Sequence, residues 1–176
     1  HEIYEFFWHS FCDIYIEIVK DRLYNGGTRG AAARKSAQYT LYQVLLGVLK
    51  LMAPITPHIT EEIYHQFYAS SEKKKSIHVA GWPPVDEKLI DASAEEVGEL
   101  GVAVVSAVRK YKSSNQMSLK EQLSELVLDS GVKDFEKKLG LVIDDLKAVT
   151  GAQTILFGKE TPIVCEGSDV KIGIRK

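Results

Sequence analysis

Apolar stripes at helical spacing, cut apart by glycine and proline, limit what this chain can fold into more than any other feature. Ile3, Phe7, Phe11, Ile14 and Ile18 recur as one face of an α-helix requires, and the spacing predicts a helix to about Tyr24. Glu2, His9, Asp13, Glu17 and Lys20 take its other side. Asn25-Gly26-Gly27 halts it, with Gly26 or Gly27 free to adopt a left-handed cap. A second stripe, Ala37, Leu41, Val44, Val48 and Leu51, predicts a helix that starts within 31–35 and stops near Met52, because Pro54 disfavours helical geometry in the residue before it. Thr56 then offers an N-cap oxygen and Pro57 suits the first helical position, opening a third helix to about Ala69 with Glu61 and Glu62 at its positive end. Ser93 and Glu96 read as a capping box before a fourth stripe, Val97, Leu100, Val104, Val108 and Tyr111.

Between the third and fourth helices, residues 70–91 have little periodicity. A short strand is expected at 76–79, followed by a turn at Gly81-Trp82-Pro83-Pro84 with Trp82 as its packing anchor. After about Ser118 the period changes. Residues 123–128, 153–157, 162–166 and 170–174 are short β-branched or apolar runs, and 134–150 reads as one helix closed by Gly151. The expected architecture is mainly α: a bundle of about four helices over residues 1–117, then a small α+β subdomain over 118–176. The pattern is already running at His1, as in a piece cut from a longer protein.

Composition excludes several function classes. Hydrophobic content of 45% and charged content of 26% are those of a globular domain rather than a disordered one. No window offers the roughly 18 apolar residues of a membrane span, and no signal peptide is visible. Cys12 and Cys165 stand far apart, which signals neither a disulfide framework nor zinc and fits a reducing, cytoplasmic setting. The net charge of −2 excludes wholesale coating of nucleic acid, but it leaves room for local basic surfaces. Lys20, Arg22, Arg29, Arg34 and Lys35 cluster with only Asp21 opposing; Arg109, Lys110 and Lys112 form a second group and Lys73, Lys74 and Lys75 a third, read as a solvated loop tip. No catalytic constellation is present: no G-x-x-x-x-G-K-S/T loop, no G-x-G-x-x-G after a strand, no H-E-x-x-H. His58 reads as an early helix residue rather than a metal ligand, and His9 with Asp13 as a surface pair one helical turn apart.

Phe7-Trp8-His9-Ser10-Phe11-Cys12-Asp13, continuing through Tyr15, Glu17, Lys20, Arg22 and Tyr24, resembles the first helix of the anticodon-binding domain in class I aminoacyl-tRNA synthetases for hydrophobic amino acids, the valyl enzymes most closely. Leu51-Met52-Ala53-Pro54-Ile55-Thr56-Pro57-His58 is similar to the proline-bounded turn shared by the valyl, isoleucyl and leucyl group, and residues 104–118 resemble the valyl fourth helix and its exit. The basic coiled-coil arm of bacterial valyl enzymes and the cysteine-rich zinc tail of many isoleucyl ones are both missing, which looks like the archaeal type. The two ATP-handling signatures of class I synthetases are missing too; Gln116-Met117-Ser118-Leu119-Lys120 is only a superficial echo of one.

The resemblance implies a module without chemistry of its own. It would bind the anticodon stem-loop of valine tRNAs, while ATP, with magnesium, would serve a catalytic domain elsewhere in the same chain. Lys20, Arg22, Arg34 and Lys35 are expected as one wall of an RNA groove and Arg109, Lys110 and Lys112 as another, with Tyr24 and Tyr39 stacking on unstacked bases and Trp8 and Trp82 anchoring core or loop. The competing expectations are an isoleucyl or leucyl domain, and a protein-interaction bundle with no RNA role.

Overall fold

The computed structural model describes residues 1–159 and 162–175. The architecture is mainly α with a small α+β part, as the period change implies. The chain forms two compact units, one of His1–Ile16 with Arg22–Leu89, the other of Glu17–Asp21 with Ile90–Lys176. The long fourth helix falls in the second unit with the sheet, whose apolar face it covers.

The chain opens with α1 (Glu2–Glu5), which runs into a π-helix (Phe6–Tyr15) and on into α2 (Ile16–Tyr24), of which Glu17–Asp21 belongs to the second unit. Phe7, Phe11 and Tyr15, four residues apart, stack at 6.3 and 6.0 Å between ring centres, and Phe11 is the residue of the expected stripe that is fully buried. Gly26 and Gly27 do not cap this helix; they open a single turn, α3 (Gly26–Arg29), and the left-handed residue is Gly30, at φ 83°. Then α4 (Ala31–Met52), α5 (Pro57–Phe67) and α6 (Ala69–Glu72) follow. Helix α4 is apolar nearly all round over 44–49, so its stripe alone left the buried face open. Ala37 and Val48 of the expected stripe are buried, and beside them Leu46 and Leu49, with Ala53 just past the helix, meet Tyr64 of α5 and Tyr68 at its C-terminal end in one core. Thr56 stands at the N-cap of α5 as expected, but its hydroxyl donates back to Met52 O at 3.2 Å instead of accepting from the helix.

The stretch expected as a strand at 76–79 is a 3₁₀ turn (Ile77–Val79) with Ile77 buried. Trp82 is 67% exposed and so anchors nothing, and Trp8 is also exposed.

In the second unit, α7 (Ala92–Ser114) is capped by Asp91, whose carboxylate accepts from the N–H groups of Ser93 and Ala94, rather than by Ser93. Its stripe lands as expected through Val97, Leu100, Val104 and Val108, then continues to Lys112 instead of Tyr111. The sheet has the order β2-β1-β4-β3, built from β1 (Leu123–Asp129), β2 (Ala152–Phe157), β3 (Ile163–Val164) and β4 (Lys171–Arg175). β1 and β2 are parallel, which requires a crossover, and α8 (Phe135–Gly140) with α9 (Ile143–Thr150) supplies it. The expected single helix breaks after Gly140, where backbone freedom is greatest. β3 and β4 form the expected antiparallel pair. Leu123, Leu126 and Leu128 alternate with Leu139, Leu146 and Ile172 in a core that also receives Val104 and Val108. Among the described residues no helix is long and apolar enough to cross a membrane.

Candidate nucleic-acid interface

The expected site residues fall into both units. Arg22, Tyr24, Arg34, Lys35 and Tyr39 lie in the first, and Lys20, Arg109, Lys110 and Lys112 in the second.

In the first unit the decisive element is the N-terminal end of α4. Gly30, with its left-handed backbone, turns the chain into the helix, and no side chain caps it. Arg34 and Lys35 sit in the turn after it, both exposed. That end of a helix carries about +0.5 charge from its unpaired N–H groups, so a cation there costs roughly 0.3–1 kcal/mol where an aspartate or glutamate would gain as much. The first turn of α4 contains no acidic residue at all. Neither Arg34 nor Lys35 is ion-paired among the described residues, so helix end and side chains add up to one electropositive corner. Arg34 lies across Gly26: a Cβ built there would come within 3.3 Å of Arg34 Cδ, so the absent side chain makes room for the guanidinium stem. Tyr39, one turn further along the face of Lys35, is 57% exposed, and Tyr24 is 81% exposed at the end of α2. Arg22 is half-buried on α2 and has polar company of its own.

In the second unit the cations are already matched. Glu17 receives Lys20 Nζ at 2.5 Å on one oxygen and faces Arg109 at 3.8 Å with the other. Lys110 pairs with Glu166, and the lysine holds that carboxyl below its ordinary pKa. Lys112 requires a correction. Expected on an RNA-facing wall, it is 1% exposed, and its ammonium donates to the carbonyls of Leu119 at 3.1 Å, Glu121 at 2.6 Å and Thr150 at 2.8 Å. Desolvation pulls its pKa down, partly offset by the charge of Glu121. It is a clasp inside the unit, with no donor left for a phosphate.

Glu61, expected only as an acidic residue at the positive end of its helix, does more than that. This carboxylate accepts from Ser76 Oγ at 3.0 Å and Ile77 N–H at 2.9 Å, and meets His65 at 3.0 Å. Burial works against its charge, but these bonds outweigh it and hold the carboxyl below its ordinary value. Its distance in sequence from Ser76 hid the arrangement. His9 does pair with Asp13 at 3.2 Å, as a surface pair. Among the described residues no three His, Cys, Asp or Glu side chains gather as metal ligands would.

Residues 1–127 match the family model described as the anticodon-binding domain of tRNA ligase. Among curated proteins, the valine–tRNA ligase of Pyrococcus furiosus is 40% identical over 127 residues, 72% of this chain and 14% of its own length. That of Pyrococcus horikoshii is 35% identical over 161 residues, 92% of this chain and 18% of its own, so the likeness extends into the sheet. That of Wolbachia pipientis is 37% identical over 154 residues, 87% of this chain and 17% of its own. The chain thus spans less than a fifth of the length of these curated relatives.

Proposed function

The chain belongs to the anticodon-binding domain family of tRNA ligases, and from that premise we propose that it is the module of a valine–tRNA ligase that grips the anticodon stem and loop of valine tRNAs. The observation that carries the reading is the electropositive corner at the start of α4, on a chain whose relatives are named valine–tRNA ligases.

The work of such a module is positional. Arg34 and Lys35 contact backbone phosphates and set register, helped by the exposed N–H groups of the helix end. Tyr24 and Tyr39 offer ring faces to bases splayed out of the loop, where stacking is worth about 1–3 kcal/mol per base. Lys20, Arg109 and Lys110 contribute only by exchanging Glu17 or Glu166 for phosphate, so they add less affinity per contact than a cation without a carboxylate partner. Amino-acid activation with ATP and magnesium belongs to a catalytic domain of the parent ligase. No glycine-rich phosphate loop lies in this stretch and no step here runs through the nucleotide.

The test is a binding titration with valine tRNA and with transcripts whose anticodon bases are exchanged. Valine tRNA should bind most tightly, and Arg34→Gln with Lys35→Gln should lower the slope of log affinity against log salt by about 2. Equal binding of all transcripts would remove valine specificity and leave a general tRNA module. No binding at physiological salt would remove the reading.

A further inference from the structure

Lys73, Lys74 and Lys75 stand exposed in succession after α6, none ion-paired among the described residues. A solvated loop tip would need nothing more, yet the backbone beneath these side chains is tied down on every side. Before them, Tyr42 Oη donates to Glu72 Oε1 at 2.9 Å. Within them, Tyr64 Oη donates to the carbonyl of Lys74 at 3.3 Å, from a ring that is 0% exposed. After them, Glu61 takes both the hydroxyl of Ser76 and the N–H of Ile77, while Ser76 Oγ in turn accepts from His78 N–H at 3.2 Å. The tethering groups belong to the core itself, since Tyr68 packs tilted against Tyr42 at 4.8 Å and stacks on Tyr64 at 6.3 Å between ring centres.

Lys73 is also held in the left-handed region, at φ 54° and ψ 31°. Glycine fills such a helix-ending position without strain, and a lysine does so at a cost in conformational energy. A strained residue of that kind, kept where a cheaper one fits, is a pointer to use. The tethers hold the backbone from which three like charges project, and such a cluster is relieved when an anion arrives to neutralise it. Holding the backbone beforehand removes that part of the ordering cost which a flexible loop would meet on binding. Lysine ammoniums, as point charges without the planar fork of arginine, suit the phosphates of a nucleic-acid backbone and carry no base preference.

We propose that Lys73, Lys74 and Lys75 form a preorganised phosphate-binding knuckle that engages the sugar–phosphate backbone of the bound RNA, apart from the corner at α4. The inference rests on the tRNA-binding reading above and adds a second point of grip to it.

The test titrates valine tRNA against the 176-residue chain at several salt concentrations, using the parent and three variants. Replacing all three lysines by glutamine should weaken binding about tenfold or more near 0.1 M salt and lower the slope of log affinity against log salt by about 2–3, for every transcript alike. Lys73→Gly keeps the left-handed turn and should lower the slope by about 1. Tyr64→Phe keeps all three ammoniums but cuts the tether, so affinity should fall while the slope stays as in the parent. A triple variant that binds like the parent at every salt concentration overturns the knuckle and leaves the tRNA reading standing. A parent that binds no tRNA overturns both. Unchanged affinity in folded Tyr64→Phe overturns the preorganisation. Poly-glutamate bound as tightly as tRNA by the parent, and lost by the triple variant, overturns the RNA assignment in favour of an acidic protein partner.

Discussion

Replacing Lys112 by methionine is the sharpest test of how the second unit is held together. Methionine follows the lysine stem to within one atom, so the change removes the ammonium while keeping most of the apolar packing. Three carbonyls lose their donor: those of Leu119 and Glu121, in partly buried surroundings, and that of Thr150, fully buried. A buried acceptor left without a partner costs roughly 1–3 kcal/mol. Thr150 bears that in full, while Leu119 and Glu121 can turn toward water and lose part of a charge-assisted bond each. Against this stands the relief of no longer burying a cation, an effect large enough elsewhere to make some buried ionic groups replaceable by apolar ones. It weighs less here, because the lysine has three oxygens around it and methionine leaves all three behind. The net expectation is a loss of about 2–4 kcal/mol, which for a unit of this size lowers the melting temperature by roughly 10–25 °C.

Thermal unfolding followed by circular dichroism, with tRNA binding measured below the transition, reads both sides of the argument. The expected result is lower stability with the salt slope of binding unchanged. A variant that melts with the parent while the slope falls by about 1 would show that Lys112 reaches a phosphate after all, and the clasp would be refuted. The pH dependence has a definite sign. The folded-state pKa is lowered, so between it and the ordinary 10.5 the unfolded chain binds more protons than the folded one. The penalty for burying the charge is present in full below the lowered value and is relieved as pH climbs through this window. The parent should therefore gain stability relative to Lys112→Met on that climb.

Other consequences are as specific. Gly151, at φ 73°, would set an alanine Cβ 3.0 Å from the carbonyl oxygen of Glu121 and 3.6 Å from Lys112 Nζ, so Gly151→Ala should cost about 1–3 kcal/mol on melting and combine non-additively with Lys112→Met. Glu61 has a lowered folded pKa, so its contribution is present above the unfolded value of about 4.3 and is lost as pH falls through the lower folded value. The amide of Ile77 should lose exchange protection over that acid range, and in Glu61→Gln it should be weakly protected at neutral pH as well. Burial pushes the Cys165 thiol up to about 11, so alkylation near pH 8 should modify it only after unfolding; mass spectrometry showing rapid native labelling would contradict its placement.

Much of the architecture was legible because it follows from period alone. The stripe of α7 fell on its core residues through Val108, and the β-branched or apolar runs became strands within a residue or two, β1 with Leu123, Leu126 and Leu128 to bury and β4 with Ile172. What stayed hidden depended on partners distant in sequence. Nothing local distinguishes Lys112 from Lys110: both are lysines near the end of a basic helix, and only the carbonyl of Thr150, 38 residues on, makes one a clasp. Asp91 and Ser93 are both good N-caps, and the choice between them came from where the preceding extended backbone stopped. Trp82 was expected to anchor a long connector, but the prolines after it leave that segment no regular element to pack against.

The same comparison sorts the cations of the candidate site. Arg22 closes α2, and Arg109, Lys110 and Lys112 gather toward the end of α7, where a helix dipole favours positive charge whatever the protein does. Carboxylates or carbonyls then account for most of what remains: Glu17 for Lys20 and Arg109, Glu166 for Lys110, three backbone oxygens for Lys112. A fold can keep such residues for its own stability, so their presence is weak grounds for function. Arg34 and Lys35 are different. They sit where the dipole opposes them and have no ion-pair partner among the described residues. Glutamate at Arg34, at the end of the first turn, would stabilise the isolated helix by up to roughly 0.3–1 kcal/mol relative to a cation and at Lys35 by less, yet either would reverse a charge of the corner. Glutamate exchange at both positions should therefore raise the melting temperature slightly and weaken tRNA binding severely. A fall in both quantities would mean that these cations hold the fold rather than the RNA.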